Sequence, residues 1–235
     1  MAAALFDLDG VLTPTAEVHM RAWSALFTDL LESLPEPHTH DPYTVRDYFD
    51  HVDGKPRYEG VATFLASRGL DLPHGDPSDG PGERTVCGLG NRKNALFNQI
   101  LAEEGIAPYP GSVRLLDHLA ARGTAVAVVS SSRNAPAVLE AAGLADRFEV
   151  VVDGAVAADQ GLPGKPRPDT FRYAAARLGA DPARSVVVED ALSGVRAGAA
   201  GGFARVVGVD RGVGEQALLD AGADEVVHDL AELVP

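Results

Sequence analysis

Residues 3–10 read Ala3-Ala4-Leu5-Phe6-Asp7-Leu8-Asp9-Gly10, a short apolar run that breaks off into two carboxylates and a glycine. An apolar run of strand length ended by a turn signal fits a strand buried on both faces. The same pattern returns in the second half of the chain. Val-rich runs lie at 125–129, 150–152, 186–188, 204–209 and 225–227, each bounded by Gly, Pro, Asp or Ser. Between them are stretches of helical spacing, among them 136–142, 170–178 and 194–200. Continuous apolar strands alternating with helices predict an α/β fold, a Rossmann-like parallel sheet covered on both faces.

The segment between the first run and the others reads differently. Trp23, Leu26, Phe27, Leu30 and Leu31 recur at helical spacing and predict a helix over 15–34. Residues 61–69 and 92–104 also read as helices, and 72–84, crowded with Pro, Gly and Asp, as a loop. No internal repeat is visible. The expected organisation is a core domain of 1–14 and 107–235, interrupted after its first strand by a helical domain of 15–106.

The chain has 235 residues, enough for one or two domains with a sizeable core. Lys and Arg number 20 against 34 Asp and Glu, a formal charge of -14. Such a surface repels nucleic acid and anionic membrane, so neither is expected as a partner. An anionic substrate would then need a local cluster of positive charge. The single cysteine, Cys87, allows no disulfide framework and, with no marked base beside it, is expected to be inert. The N-terminus lacks the basic flank and length of a signal peptide, and no apolar run is long enough to span a membrane. A cytoplasmic monomer is expected.

In open parallel sheets, ligands bind beyond the carboxyl ends of the strands. Four polar sites fall there. Asp7 and Asp9 follow the first run, Ser130 follows 125–129, Lys165 lies in the loop after 150–152, and Glu189-Asp190 follow 186–188. Each alone has an ordinary explanation: Asp-Gly is a common turn, Ser a common helix cap, Glu-Asp a solvated end. Together they form a composite site. Four carboxylates without His or Cys favour Mg²⁺ over softer metals. Lys165 and the cation would offset their repulsion and neutralise an incoming phosphate, and Ser130 can donate to a phosphate oxygen. A carboxylate beside the metal can attack phosphorus. Competing motifs fail: Gly88-Leu89-Gly90 lacks the third glycine of a dinucleotide site, and Gly164-Lys165-Pro166 lacks the Ser or Thr of a P-loop.

Phe6-Asp7-Leu8-Asp9-Gly10-Val11-Leu12-Thr13 resembles the first motif of the haloacid dehalogenase superfamily, and Ser130, Lys165 and Glu189-Asp190 match its second, third and fourth. The resemblance covers essentially the whole chain. It implies Asp7 as nucleophile, Asp9 as general acid and base, and Mg²⁺ held by Asp7, Asp190, the backbone carbonyl of Asp9 and Glu189. Finer features resemble the β-phosphoglucomutase-like branch. Thr15-Ala16-Glu17, His19 and Arg21-Ala22-Trp23 are similar to its first cap helix. Gly54 followed by Arg57 is similar to its phosphate-holding cap loop, and Arg92-Lys93-Asn94 to a sugar-contacting segment. Ser132, Arg133 and Asn134 are similar to residues that hold the phosphate not being transferred. The resemblance therefore implies a phosphosugar mutase of that type, working through an aspartyl phosphate and a bisphosphate on a small phosphorylated sugar. A sugar-phosphate phosphatase and a non-catalytic sugar-phosphate-binding module are the alternatives. Pro14, Ala191 and the Pro/Gly-rich stretch 73–84 depart from the pattern.

Overall fold

The computed structural model describes residues 1–36, 39–52 and 55–235. Gly54, singled out above, lies outside the described residues. The chain forms two compact units, Met1–Thr15 with Ile106–Pro235, and Ala16–Gly105. In chain order, β1 (Ala3–Phe6) leads into α1 (Thr15–Glu32), α2 (Val45–Asp47), a π-helical turn at Tyr48–Val52, α3 (Arg57–Ser67) and α4 (Val86–Glu104). Next come α5 (Pro110–Ala121), β2 (Ala125–Val129), α6 (Ala135–Ala141), β3 (Val150–Val152), α7 (Gly154–Asp159) and α8 (Asp169–Arg177). The chain closes with β4 (Val186–Glu189), α9 (Leu192–Ala200), β5 (Arg205–Val209), α10 (Glu215–Ala221) and β6 (Glu225–Val227).

The six strands form one parallel sheet in the order β3-β2-β1-β4-β5-β6. All four residues of β1 are buried, as its unbroken apolar run requires. Leu5, Ala127, Val187 and Val206 pack with Phe171, Ala174 and Ala175 of α8 and Val195 and Ala197 of α9. The chain runs outward from β1 in one direction through β2 and β3, then returns to place β4 on the other side of β1. That reversal is the topological switch point, and the crevice beyond the carboxyl ends of β1 and β4 is where such a sheet binds ligands.

The Ala16–Gly105 unit has its own core. Trp23, Leu26, Phe27, Leu30 and Leu31 of α1 line one helix face and pack with Phe64 and Leu65 of α3 and Leu89 of α4. Phe27 stacks on Phe64 with ring centroids 3.8 Å apart. Trp23 is core here, 5 % exposed.

Three boundaries differ from the expectation. Glu189 is the last residue of β4, not the first after it. Arg57 opens α3, where a loop position was expected. α4 begins at Val86, six residues before the expected 92. Gly88 and Gly90 read as breakers in isolation, but the preceding loop completes the helix start. Val86 N–H donates to Pro73 O, Cys87 N–H to His74 O and Gly88 N–H to Thr85 Oγ1. The orphan donors of the first turn are thus satisfied by the segment whose composition looked unstructured. Among the described residues no helix is long and apolar enough to cross a membrane.

Candidate active site

Asp7 is the first residue beyond β1, its N–H still donating to Val188 O of β4 at 2.9 Å. Its side chain therefore enters the switch-point crevice, and the residue is only 7 % exposed. Lys165 reaches the same place from the loop between α7 and α8, one helix further along than the loop directly after β3 in which it was expected. Its ammonium donates to Asp7 Oδ1 at 2.5 Å, Glu189 Oε1 at 2.6 Å and Val129 O at 2.9 Å. Those three acceptors match the three protons of an ammonium. Burial pulls Lys165 toward neutrality, but Asp7 and Glu189 outweigh it and hold its pKa above the usual lysine range.

Glu189 Oε2 accepts from Ala191 N–H at 3.0 Å, so both of its carboxylate oxygens are held. A Cβ at residue 194 would overlap this carboxylate, so Gly194 leaves room for it at the start of α9. Burial pushes the carboxyls of both Glu189 and Asp190 upward. Asp7 adds to each shift, and Lys165 opposes each. One lysine does not neutralise this group. Asp7, Glu189 and Asp190 each offer an oxygen, all within 4.8 Å of one another. An all-oxygen, excess-negative cluster of this kind fits a hard divalent cation.

Asp9 is set apart from that trio. Its carboxylate accepts from Thr15 Oγ1 and, at 3.4 Å, from Ser130 Oγ. Two hydroxyls thus hold the side chain, and the metal ligand expected from this residue is its backbone carbonyl. The turn that follows Asp9 is tight. Gly10 has φ +81°, a left-handed conformation, and a Cβ there would run into the Asp190 carboxylate. Ser130 N–H donates to Val152 O, Ser132 N–H to Ser130 Oγ and Asn134 N–H to Ser132 Oγ. The loop after β2 is therefore a chain of short turns that presents Ser130 inward and leaves Arg133 exposed.

In the other unit, Lys93 is 3 % exposed and lies over the rings of Trp23 and Phe97, 5.0 Å from each centroid. Its ammonium is 2.5 Å from His19 Nδ1. Burial first, then the Lys93 and Arg57 charges, hold His19 well below the ordinary histidine pKa, so the ring is neutral and Nδ1 accepts. His19 also stacks on Phe97, centroids 4.3 Å apart. Arg57 donates to Asn94 Oδ1 at 2.8 Å. Cys87 is fully buried, and burial raises its thiol pKa, as an inert cysteine requires.

The structure therefore brings Asp7, Asp9, Ser130, Lys165, Glu189 and Asp190 together in one unit. It pairs His19 with Lys93, and Arg57 with Asn94, in the other. Reasoning from sequence passed over Thr15 as a partner of Asp9. It also passed over Arg211, which follows β5 at the same sheet edge and donates to Gly10 O at 2.7 Å. The strand-end rule that found Ser130 would have flagged Arg211 as well.

Known proteins resemble this chain along most or all of its length. The family profile described as haloacid dehalogenase-like hydrolase matches residues 1–202. A β-phosphoglucomutase from Mycobacterium bovis is 48% identical over 240 residues, covering 99% of this chain and 91% of the relative. A phosphorylated carbohydrates phosphatase from Thermotoga maritima is 28% identical over 243 residues, covering 100% of both chains. A crystal structure of a CbbY variant from Rhodobacter sphaeroides, in complex with xylulose-1,5-bisphosphate, superposes with a TM-score of 0.75 at 28% identity, covering 100% of this chain and 96% of the other.

Proposed function

The chain belongs to the haloacid dehalogenase-like hydrolase family, and on that premise we propose that this enzyme is a β-phosphoglucomutase, moving phosphate between C1 and C6 of glucose through an aspartyl phosphate and a bisphosphate. The observation that carries the chemistry is the split between the two aspartates. Asp7 lies in the buried cluster with Lys165 on one oxygen, while Asp9 stands apart on the hydroxyls of Thr15 and Ser130. One carboxylate is oriented as a nucleophile, the other as a proton carrier.

In this reading the free oxygen of Asp7 attacks phosphorus, and the P–O bond to the sugar breaks as Asp9 protonates the departing oxygen. In the opposite direction Asp9 takes the proton of a sugar hydroxyl as that oxygen attacks the aspartyl phosphate and releases Asp7. Phosphorylated Asp7 hands its phosphate to the sugar and regains it from the other position after the bisphosphate turns over. Ser130 and Lys165 donate to the phosphoryl oxygens. The residues that would hold Mg²⁺ are Asp7, Glu189, Asp190 and the backbone carbonyl of Asp9, where the ion would neutralise phosphate charge. Ser132, Arg133 and Asn134 are assigned to the phosphate not being transferred. His19, Arg57 and Lys93 are the substrate-binding groups of the Ala16–Gly105 unit, which this reading treats as the cap. The enzyme acts as a cytoplasmic monomer on a small phosphorylated sugar, with neither nucleic acid nor membrane as partner.

A second reading, a Mg²⁺-dependent sugar-phosphate phosphatase, is favoured by the full-length Thermotoga maritima relative. There water, not a sugar hydroxyl, attacks the aspartyl phosphate. The deciding experiment follows glucose 6-phosphate formation and free phosphate release side by side on β-glucose 1-phosphate. Glucose 6-phosphate should account for the substrate consumed. Stoichiometric free phosphate with no glucose 6-phosphate would replace the mutase with the phosphatase.

A further inference from the structure

The backbone just after Asp9 is held by groups that none of the assigned catalytic roles uses. Three successive carbonyls are each captured. Arg211 Nε donates to Gly10 O at 2.7 Å, Ser112 Oγ to Val11 O at 2.7 Å, and Tyr109 N–H to Leu12 O at 2.9 Å. Arg211 also donates from Nη1 to His228 O at 3.0 Å, and its guanidinium lies over the Tyr109 ring, 3.9 Å from the centroid. Its own turn is braced, because Asp210 Oδ1 accepts from the N–H groups of Gly212 and Gly214.

We propose that Arg211 is a positioning residue for Asp9, fixing the Gly10 peptide so that the Asp9 carboxylate keeps its place on Thr15 and Ser130. The physical need arises at Gly10. Glycine has the widest backbone freedom of any residue, and this one sits at φ +81° against Asp190. Gly10 N–H is fixed by Thr13 O at 2.8 Å. Arg211 fixes its carbonyl through a charge-assisted bond, the stronger kind. With both ends of the glycine held, the turn cannot rotate and carry Asp9 with it. Ser112, 1 % exposed, and Tyr109 extend the same restraint along the next two residues.

The inference rests on the role of Asp9 as proton carrier, and the test separates the two. Arg211→Met keeps an apolar stem over Tyr109 and removes both donors. Its kcat on β-glucose 1-phosphate should fall about 10- to 100-fold, the scale of a misplaced catalytic group. KM should stay within about twofold, because binding groups are untouched. Phosphorylation of Asp7 by acetyl phosphate, whose leaving group needs no proton, should change less than about threefold. Arg211→Lys, which restores one donor, should recover part of kcat. Deuterium uptake in a peptide spanning residues 8–14 should quicken in Arg211→Met. That readout needs no substrate, so it tests the pin even if the wild-type enzyme turns over no phosphosugar, a result that would remove the proposed function instead. Unchanged turnover, equal losses in both reactions, or unchanged uptake at 8–14 overturns the inference.

Discussion

Lys165 is the buried cation in contact with the carboxylate cluster. It is the counter-ion shared by Asp7 and Glu189, and Glu189 is 1 % exposed. Removing one member of a buried ion pair strands the other and costs about 3–5 kcal/mol. Lys165→Met should therefore lower the urea midpoint in metal-free buffer as well as abolish turnover, and equal stability with wild type would show that the carboxylates do not depend on it. Asp9→Asn tests the other half of the site. An amide keeps the size of the carboxylate and can still accept from Thr15, so the fold should survive. An amide is neither an acid nor a base near neutral pH, so turnover should drop by about 10²–10⁴-fold. Wild-type turnover by Asp9→Asn would sink the acid–base assignment.

At the scale of elements, local capping decides boundaries that composition hides. Thr85 is the N-cap of α4, accepting from Gly88 N–H at 2.9 Å while donating to Asp79. Thr85→Ala should destabilise the protein by about 0.5–2 kcal/mol in denaturant titration. The start of α2 is braced in the reverse sense, by a carboxylate that reaches back to Thr44, and carries a pH signature. Asp47 accepts from the N–H and hydroxyl of Thr44 and from Arg68. Burial pushes its carboxyl up, but these three bonds outweigh it and leave the pKa below the ordinary carboxylate value. Its folded pKa is lower than its unfolded one, so the stabilisation is complete above the unfolded value. It is lost as pH falls through the folded value. Wild type should lose stability below about pH 4 more steeply than Asp47→Asn does. Parallel acid profiles for the two proteins would remove Asp47 from the acid response.

The candidate metal cluster is a property of the whole molecule, because Asp7 and the Glu189-Asp190 pair become neighbours only in the folded sheet. A ligand that binds the folded state alone stabilises it, by about 2.7 kcal/mol at a hundred times its Kd. Mg²⁺ should raise the Tm of the apoprotein, and EDTA should abolish turnover until Mg²⁺ is restored. Full activity after thorough metal removal would refute the Mg²⁺ assignment. Asp190→Asn should reduce the Tm gain from Mg²⁺, since one charged ligand is lost from the trio.

Much of this molecule was determined locally. Apolar runs ended by Asp, Ser or Glu mark both a strand and the residue it delivers to the sheet edge, because side-chain period and turn chemistry are short-range properties. Asp7, Ser130 and Glu189 were legible for that reason, whereas Lys165 comes from the loop between α7 and α8 and not from a strand end. Three other features were settled by the tertiary structure alone. The sheet order β3-β2-β1-β4-β5-β6 seats β4 beside β1, and no residue in either strand encodes that choice. Strands pair through backbone hydrogen bonds that are alike for every Val-rich run, so the pairing depends on how helices pack over the whole sheet. The start of α4 depends on carbonyls from a loop that reads as irregular. The hold on Asp9 depends on Thr15, and that on Gly10 on Arg211, far along the chain. Those contacts go to a hydroxyl and a backbone carbonyl, groups so common in any sequence that only their meeting in space distinguishes them.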